Sequence, residues 1–195
     1  MLVAVLAGML GIAASLAMTG PGPLLGPILR TELGQRLVQG MLAADAPEAP
    51  PGLAIASRGS AIPPLLLPDL DGQAVALPQA YAGRPILINF WASWCGPCIM
   101  EMPELDRFAM AQGANGTQVL GIALDRPDDV RAFLRHTPVS YPILIDTPGA
   151  RDSSVQLGNP KSVLPYTALI GPDGRLLKQK IGPFVAGEID AWAQQ

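Results

Sequence analysis

The chain has 195 residues, 15% charged and 49% hydrophobic, with a formal net charge of -3. It is too apolar for a disordered chain, and without a basic cluster it offers no surface for nucleic acid. Its 21 Gly and 21 Pro follow no period, which excludes a collagen-like rod, and its 2 Cys and 1 His cannot alone form a structural zinc site or a multi-disulfide scaffold.

No charged side chain precedes Arg30. Leu2–Met18 is an apolar run that would span roughly 25 Å as a helix, near the lower limit for crossing a bilayer. Gly20, Pro21, Gly22, Pro23 and Pro27 break it. Residues 1–44 are therefore expected to be a hydrophobic anchor helix or a signal segment, with a buried core helix as the alternative. An uncleaved anchor is preferred. No Lys or Arg precedes the run, and the small-residue cleavage candidate Ala44-Asp45-Ala46 is followed by Pro47. Arg30 and Arg36 would favour a cytoplasmic C-terminal side. Residues 45–60 are rich in Pro and Ala and read as an extended linker. Residues 61–195 are long enough for one core.

Within that part, Leu65–Leu67 and Gln73–Leu77 flank Asp69-Leu70-Asp71-Gly72, which reads as a hairpin. Pro85–Trp91 is a continuous apolar run, as expected of a strand covered on both faces. A helix is predicted from Gly96 to about Gln112, with Ile99, Met102, Leu105 and Phe108 on its inner side and a kink at Pro103. A strand over Thr117–Leu124, a helix from Pro127 to about His136 and a strand over Tyr141–Ile145 follow. Tyr166–Ile170 and Arg175–Ile181 form a second hairpin around Gly171-Pro172-Asp173-Gly174, and Ala186–Ala193 closes the chain as a helix. This order gives an α/β domain with a mixed sheet.

The two cysteines stand as Trp94-Cys95-Gly96-Pro97-Cys98, between a strand and a helix. A first Cys at a helix N-terminus has its thiolate favoured by free N–H groups and the helix dipole. A second Cys one turn on can resolve a mixed disulfide formed at the first. A disulfide that only staples the turn would close a tiny loop and stabilise little. A transient two-ligand metal site is the other bland reading. Redox catalysis is the preferred one.

The stretch FWASWCGPC resembles the thioredoxin active site, and NFWASWCGPCIMEMPELDRF is similar to the TlpA/ResA group of thiol–disulfide oxidoreductases. The resemblance covers roughly Leu65 to Trp192. It implies a thioredoxin-like fold, a central mixed β-sheet flanked by helices, on a protein usually tethered to the membrane and facing the periplasm. It implies a redox-active Cys95–Cys98 disulfide, with Cys95 as nucleophile and Cys98 as resolver. It places Leu164-Pro165 at the cis-proline that faces the cysteines, so that Trp94, Gly96, Pro97, Leu164 and Pro165 would meet the substrate. Tyr166 departs from the small residue common after that proline and is expected to alter the substrate groove. The buried Asp of thioredoxins is replaced by Asn89. Glu101, at the position of a proton-handling Glu in ResA-like members, is expected to serve Cys98, against the simpler reading of a carboxylate favouring the helix N-terminus.

Among the remaining residues, Trp91 is expected to pack under the site, His136 to be a solvated cap and Asp125 a turn residue. The Thr-x-x-Cys pattern of a peroxidase is missing, with Ala92 in that place. The expected partners are a client protein with a disulfide, a membrane thiol–disulfide electron donor and, through the N-terminal segment, the membrane. The client class suggested by the resemblance is apocytochrome c or copper-site assembly proteins. No metal or organic cofactor is implied, and a monomer is expected. The rival readings are a disulfide-forming oxidant, a non-enzymatic chaperone or metal-delivery module on the same fold, and a soluble periplasmic form after signal cleavage.

Overall fold

Six apolar or amide side chains in a row, Ile86-Leu87-Ile88-Asn89-Phe90-Trp91, cannot leave one face in water, so this segment goes to the middle of the sheet. In the computed structural model, which describes residues 50–113 and 116–194 together with Leu37, it is strand β3 (Ile86–Trp91) and is buried at every position. A hairpin precedes it, β1 (Leu65–Pro68) with β2 (Ala74–Leu77), paired antiparallel from Leu65 opposite Leu77. A single turn of 3-10 helix, Gln79–Tyr81, follows. After β3 come α1 (Gly96–Gln112), β4 (Gln118–Leu124), α2 (Pro127–Leu134), β5 (Ile143–Asp146), α3 (Ser153–Gln156), β6 (Tyr166–Ile170), β7 (Leu176–Ile181) and α4 (Glu188–Trp192).

The five main strands form one sheet in the order β5-β4-β3-β6-β7. β3, β4 and β5 run parallel, as strand–helix–strand connections require, and β6 and β7 add antiparallel. Strand alternation divides the core in two. Leu87 and Trp91 face the side covered by α1, with Cys95, Cys98, Met102 and Leu105. Ile86, Ile88 and Phe90 face the other side, with Tyr166, Ile170 and Leu77. The redox motif belongs to the first of these faces.

α1 holds Pro103 within its span, on the exposed side. Its inner face is Cys98, Glu101, Met102, Leu105 and Phe108. Ile99, expected there, is only half-buried. Two elements were not foreseen, the turn Gln79–Tyr81 and α3, whose four residues are capped by the Asp152 carboxylate accepting from the Val155 N–H.

Residues 56–62 are held to this body. The Ala56 N–H donates to the Gln156 carbonyl at 2.8 Å, Gly59 N–H to Leu176 O at 2.7 Å, and Ile62 N–H to Gly174 O at 3.0 Å. Ala56 itself is buried. Leu2–Met18, read as an anchor, lies outside the described residues. Among the described residues no helix is long and apolar enough to cross a membrane.

Candidate functional site

The chain leaves β3 at Trp91, turns through Ala92–Trp94 and enters α1 at Cys95. Asp125, at the end of β4, fixes that turn. Its carboxylate accepts from the Ser93 N–H at 2.9 Å and the Ser93 hydroxyl at 2.6 Å. The residue read as a turn former is thus a brace between the loop and the neighbouring strand. Trp91 lies beneath, fully buried, with its ring centroid 5.3 Å from that of Phe133 on α2.

Cys95 is the N-cap of α1 and is joined to Cys98 by a disulfide. The Cys98 N–H, one of the free donors of the first turn, points at the Cys95 sulfur at 3.4 Å. Cys95 keeps 6% of its surface exposed and Cys98 none. Gly96 and Pro97 are exposed, and Trp94 stands out at 69%. The motif therefore leaves Cys95 a small exposed surface and covers Cys98 completely.

Leu164 packs against the cluster containing both cysteines, and the Leu164–Pro165 bond is cis, as is Leu77–Pro78. Tyr166 is not in a groove. Strand alternation turns it to the far side of the sheet, where it is fully buried. Its ring centroid lies 5.8 Å from that of Phe90, and its hydroxyl donates to Leu157 O at 2.7 Å. The expectation that it reshapes the substrate groove is corrected by that geometry.

Beside Trp94 runs a groove of about 470 Å³, lined by Leu66, Pro68, Arg126, Pro127 and Pro148 among others. Leu66, on β1, is as exposed as Trp94.

Glu101 lies one turn beyond Cys98 on the inner face of α1, and it is 1% exposed, not a solvated carboxylate. One oxygen accepts from the Asn89 amide at 2.8 Å and the other from the Phe184 N–H at 2.8 Å. Asn89 thus supplies a hydrogen-bond donor to a carboxyl that arrives from the helix. Its amide nitrogen also donates to Thr167 at 3.1 Å. Burial pushes the Glu101 carboxyl up to about 7, against the opposing pull of the Phe184 N–H, the Asn89 amide and the positive charge of Lys180. A carboxyl in that range can take or give a proton near neutrality.

Lys180, Phe184, Thr167 and Glu188 complete the surroundings of this group, and no motif in the sequence marks them. Lys180 sits in β7 beside Ile181, and its neighbour across the ladder, Thr167, pairs in turn with Asn89, a register that only the fold supplies.

Residues 58–179 match the AhpC/TSA family. The chain belongs to that family. Over 132 residues it is 30% identical to the thiol-disulfide oxidoreductase ResA of Geobacillus thermodenitrificans, covering 67% of this chain and 73% of the relative. Over 151 residues it is 25% identical to the sporulation thiol-disulfide oxidoreductase A of Bacillus subtilis, covering 74% and 88%. The crystal structure of a thioredoxin-related protein from Neisseria meningitidis serogroup B superposes with a TM-score of 0.57 at 33% identity, covering 64% of this chain and 93% of the other. The protein is a thiol–disulfide oxidoreductase with a thioredoxin-like fold, and its Cys95–Cys98 disulfide is the group such an enzyme cycles.

Proposed function

We propose that this oxidoreductase is a membrane-tethered, periplasm-facing reductant of disulfides in particular client proteins. The observation that carries the redox direction of attack is the asymmetry of the pair: Cys95 caps the helix near solvent, while Cys98 is covered and shares a face with Glu101. The Cys95 thiolate attacks one sulfur of a client disulfide, and the other client sulfur leaves as a thiolate and takes a proton. Cys98 passes its proton to Glu101 and attacks the Cys95 sulfur. The Cys95–Cys98 disulfide forms, and the second client thiol is released. Two electrons move from the dithiol to the client. A membrane thiol donor then reduces the enzyme again.

Trp94, Gly96, Pro97, Leu164 and Pro165 form the client-binding rim in this reading, which the exposure of Trp94, Gly96 and Pro97 supports. The tether rests on the apolar run Leu2–Met18. The client class, apocytochrome c or a copper-site assembly protein, rests on resemblance to TlpA/ResA members. The Gly96-Pro97 dipeptide, shared with strongly reducing thioredoxin, favours reduction over oxidation.

The direction is tested by the equilibrium redox potential of the domain together with an insulin-reduction assay. A potential close to thioredoxin's, about -270 mV, and prompt insulin reduction are expected. A potential near the -120 mV of a strong oxidant would reverse the reading. The side of the membrane is tested by a phosphatase or β-lactamase reporter fused after Gln195. A well-expressed but inactive fusion would place the domain in the cytoplasm, as Arg30 and Arg36 alone would have it.

A further inference from the structure

Behind the cysteines, on the side away from solvent, lies a second set of charges that the thiol chemistry does not use directly. Lys180, on β7, is 2% exposed. An ammonium group so deeply covered requires a partner. Its Nζ lies 3.0 Å from one carboxylate oxygen of Glu188, at the start of α4, and 5.2 Å from the centre of the Phe184 ring. The other Glu188 oxygen accepts from the Val185 N–H at 3.0 Å. The neighbouring N–H, that of Phe184, goes to Glu101 at 2.8 Å. Two successive backbone donors of one loop are therefore divided between two carboxyls, with Lys180 paired to one of them. The sheet continues the arrangement. Asn89 pairs across to Thr167, and Thr167 to Lys180, so that the donor to Glu101 and the buried lysine lie in one row across three strands.

We propose that the Lys180–Glu188 ion pair is a positioning device that sets how tightly Glu101 holds its proton, with the two members acting in opposite directions. The positive charge of Lys180 favours an ionised Glu101, and the negative charge of Glu188 disfavours it. The importance of this for turnover rests on the reading of Glu101 as the group that handles the Cys98 proton. The groups acting on Glu101 are the Asn89 amide from β3, Lys180 from β7, Glu188 from α4 and the loop N–H of Phe184, while Cys98 lies one turn before it among the buried residues of the same helix. The phenol of Tyr141, ahead of β5, is also coupled to it.

The opposite signs make the test sharp, because loss of structure alone would not move one group both ways. Full-length protein labelled with 13C at glutamate carboxyls would be titrated by NMR, the Glu101 signal being identified by its loss in Glu101→Gln. In Lys180→Met the Glu101 midpoint should rise, and in Glu188→Gln it should fall, each with at least a threefold change in the acid dissociation constant. Lys180→Arg, which keeps the charge, should leave it near the wild-type position. Should Lys180→Met fail to fold, Lys180→Arg and Glu188→Gln still decide the matter, since Glu188 sits nearer the surface. Midpoints that do not move, or that move in the same direction, would overturn the proposal. The pH profile of insulin reduction separates the two ideas. If the carboxyl midpoints diverge but the rate profiles do not follow, the ion pair keeps its hold on Glu101, and the role of Glu101 in catalysis is what falls.

Discussion

Glu101 is the residue at which burial and chemistry meet most directly. Its ordinary value of 4.5 is raised to about 7 by loss of water around the carboxyl. Between those values the native state binds more protons than the unfolded chain. Stability is therefore highest below about pH 4.5, as far as this group is concerned, and falls as pH rises to about 7. The loss across that window is on the order of 3 kcal/mol. Glu101→Gln should remove this slope, so that urea midpoints at pH 5 and pH 8 agree more closely than in the wild type. A slope that survives the substitution would belong to another group. The same variant should lose one limb of the pH–rate profile. At Cys95 the expectation is kinetic. The thiol at the helix N-terminus should ionise below the roughly 8.5 of a free cysteine, while Cys98 is covered. Limited alkylation of the reduced protein, followed by peptide mapping, should label Cys95 first. Preferential labelling of Cys98 would exchange the two roles.

Among the elements, the strands were the most legible in the sequence, because their length and apolar runs are local properties. β3, β4, β6 and β7 fall within two residues of their expected places, and both hairpins form at the turns that Asp-Gly announced. The inner face of α1 was legible through Met102, Leu105 and Phe108, and spacing put Glu101 on the Cys98 face, but the burial of its carboxyl was not legible. Whether a carboxylate at that position is wet or covered depends on Asn89, Lys180, Phe184 and Glu188, which lie on four other segments, β3, β7, the loop after it and α4. No window of sequence contains that information. α3 escaped because four residues are too few to show a helical period. β4 carries a packing constraint that can be tested. A methyl group on Gly121 would meet Ile143 Cδ1 at 2.6 Å and both Trp91 Nε1 and Tyr141 Cε2 at 3.2 Å. These are buried neighbours with little room to yield. Gly121→Ala should therefore cost about 1–3 kcal/mol in chemical denaturation. It should also disturb the near-UV dichroism of Trp91, which lies under the redox turn.

For the molecule as a whole, the folded body extends upstream of the boundary that composition suggested at residue 61. The segment around Ala56–Ser60 donates two backbone hydrogen bonds to the domain, and the Ser60 carbonyl accepts from the Leu176 N–H at 2.9 Å. The Arg175 guanidinium adds a contact to the Gly59 carbonyl at 2.8 Å. Each such bond contributes about 1 kcal/mol net. A fragment covering 50–195 should thus have a higher urea midpoint than one covering 61–195, while both reduce insulin. Equal midpoints would mean that the segment only rests on the surface. The central strand and the buried carboxyl also share a dependence on segments far downstream of the cysteines. β3 is bordered on one side by β6, and Glu101 is held by Phe184 and influenced by Glu188. In order of synthesis, the two thiols emerge well before Lys180, Phe184 and Glu188, the groups that surround Glu101. On the proposed role of Glu101, a nascent chain carries its cysteines for some time before that carboxyl acquires its surroundings. The buried carboxyl gains the Phe184 hydrogen bond and its Glu188 neighbour only once the loop after β7 and α4 are laid down.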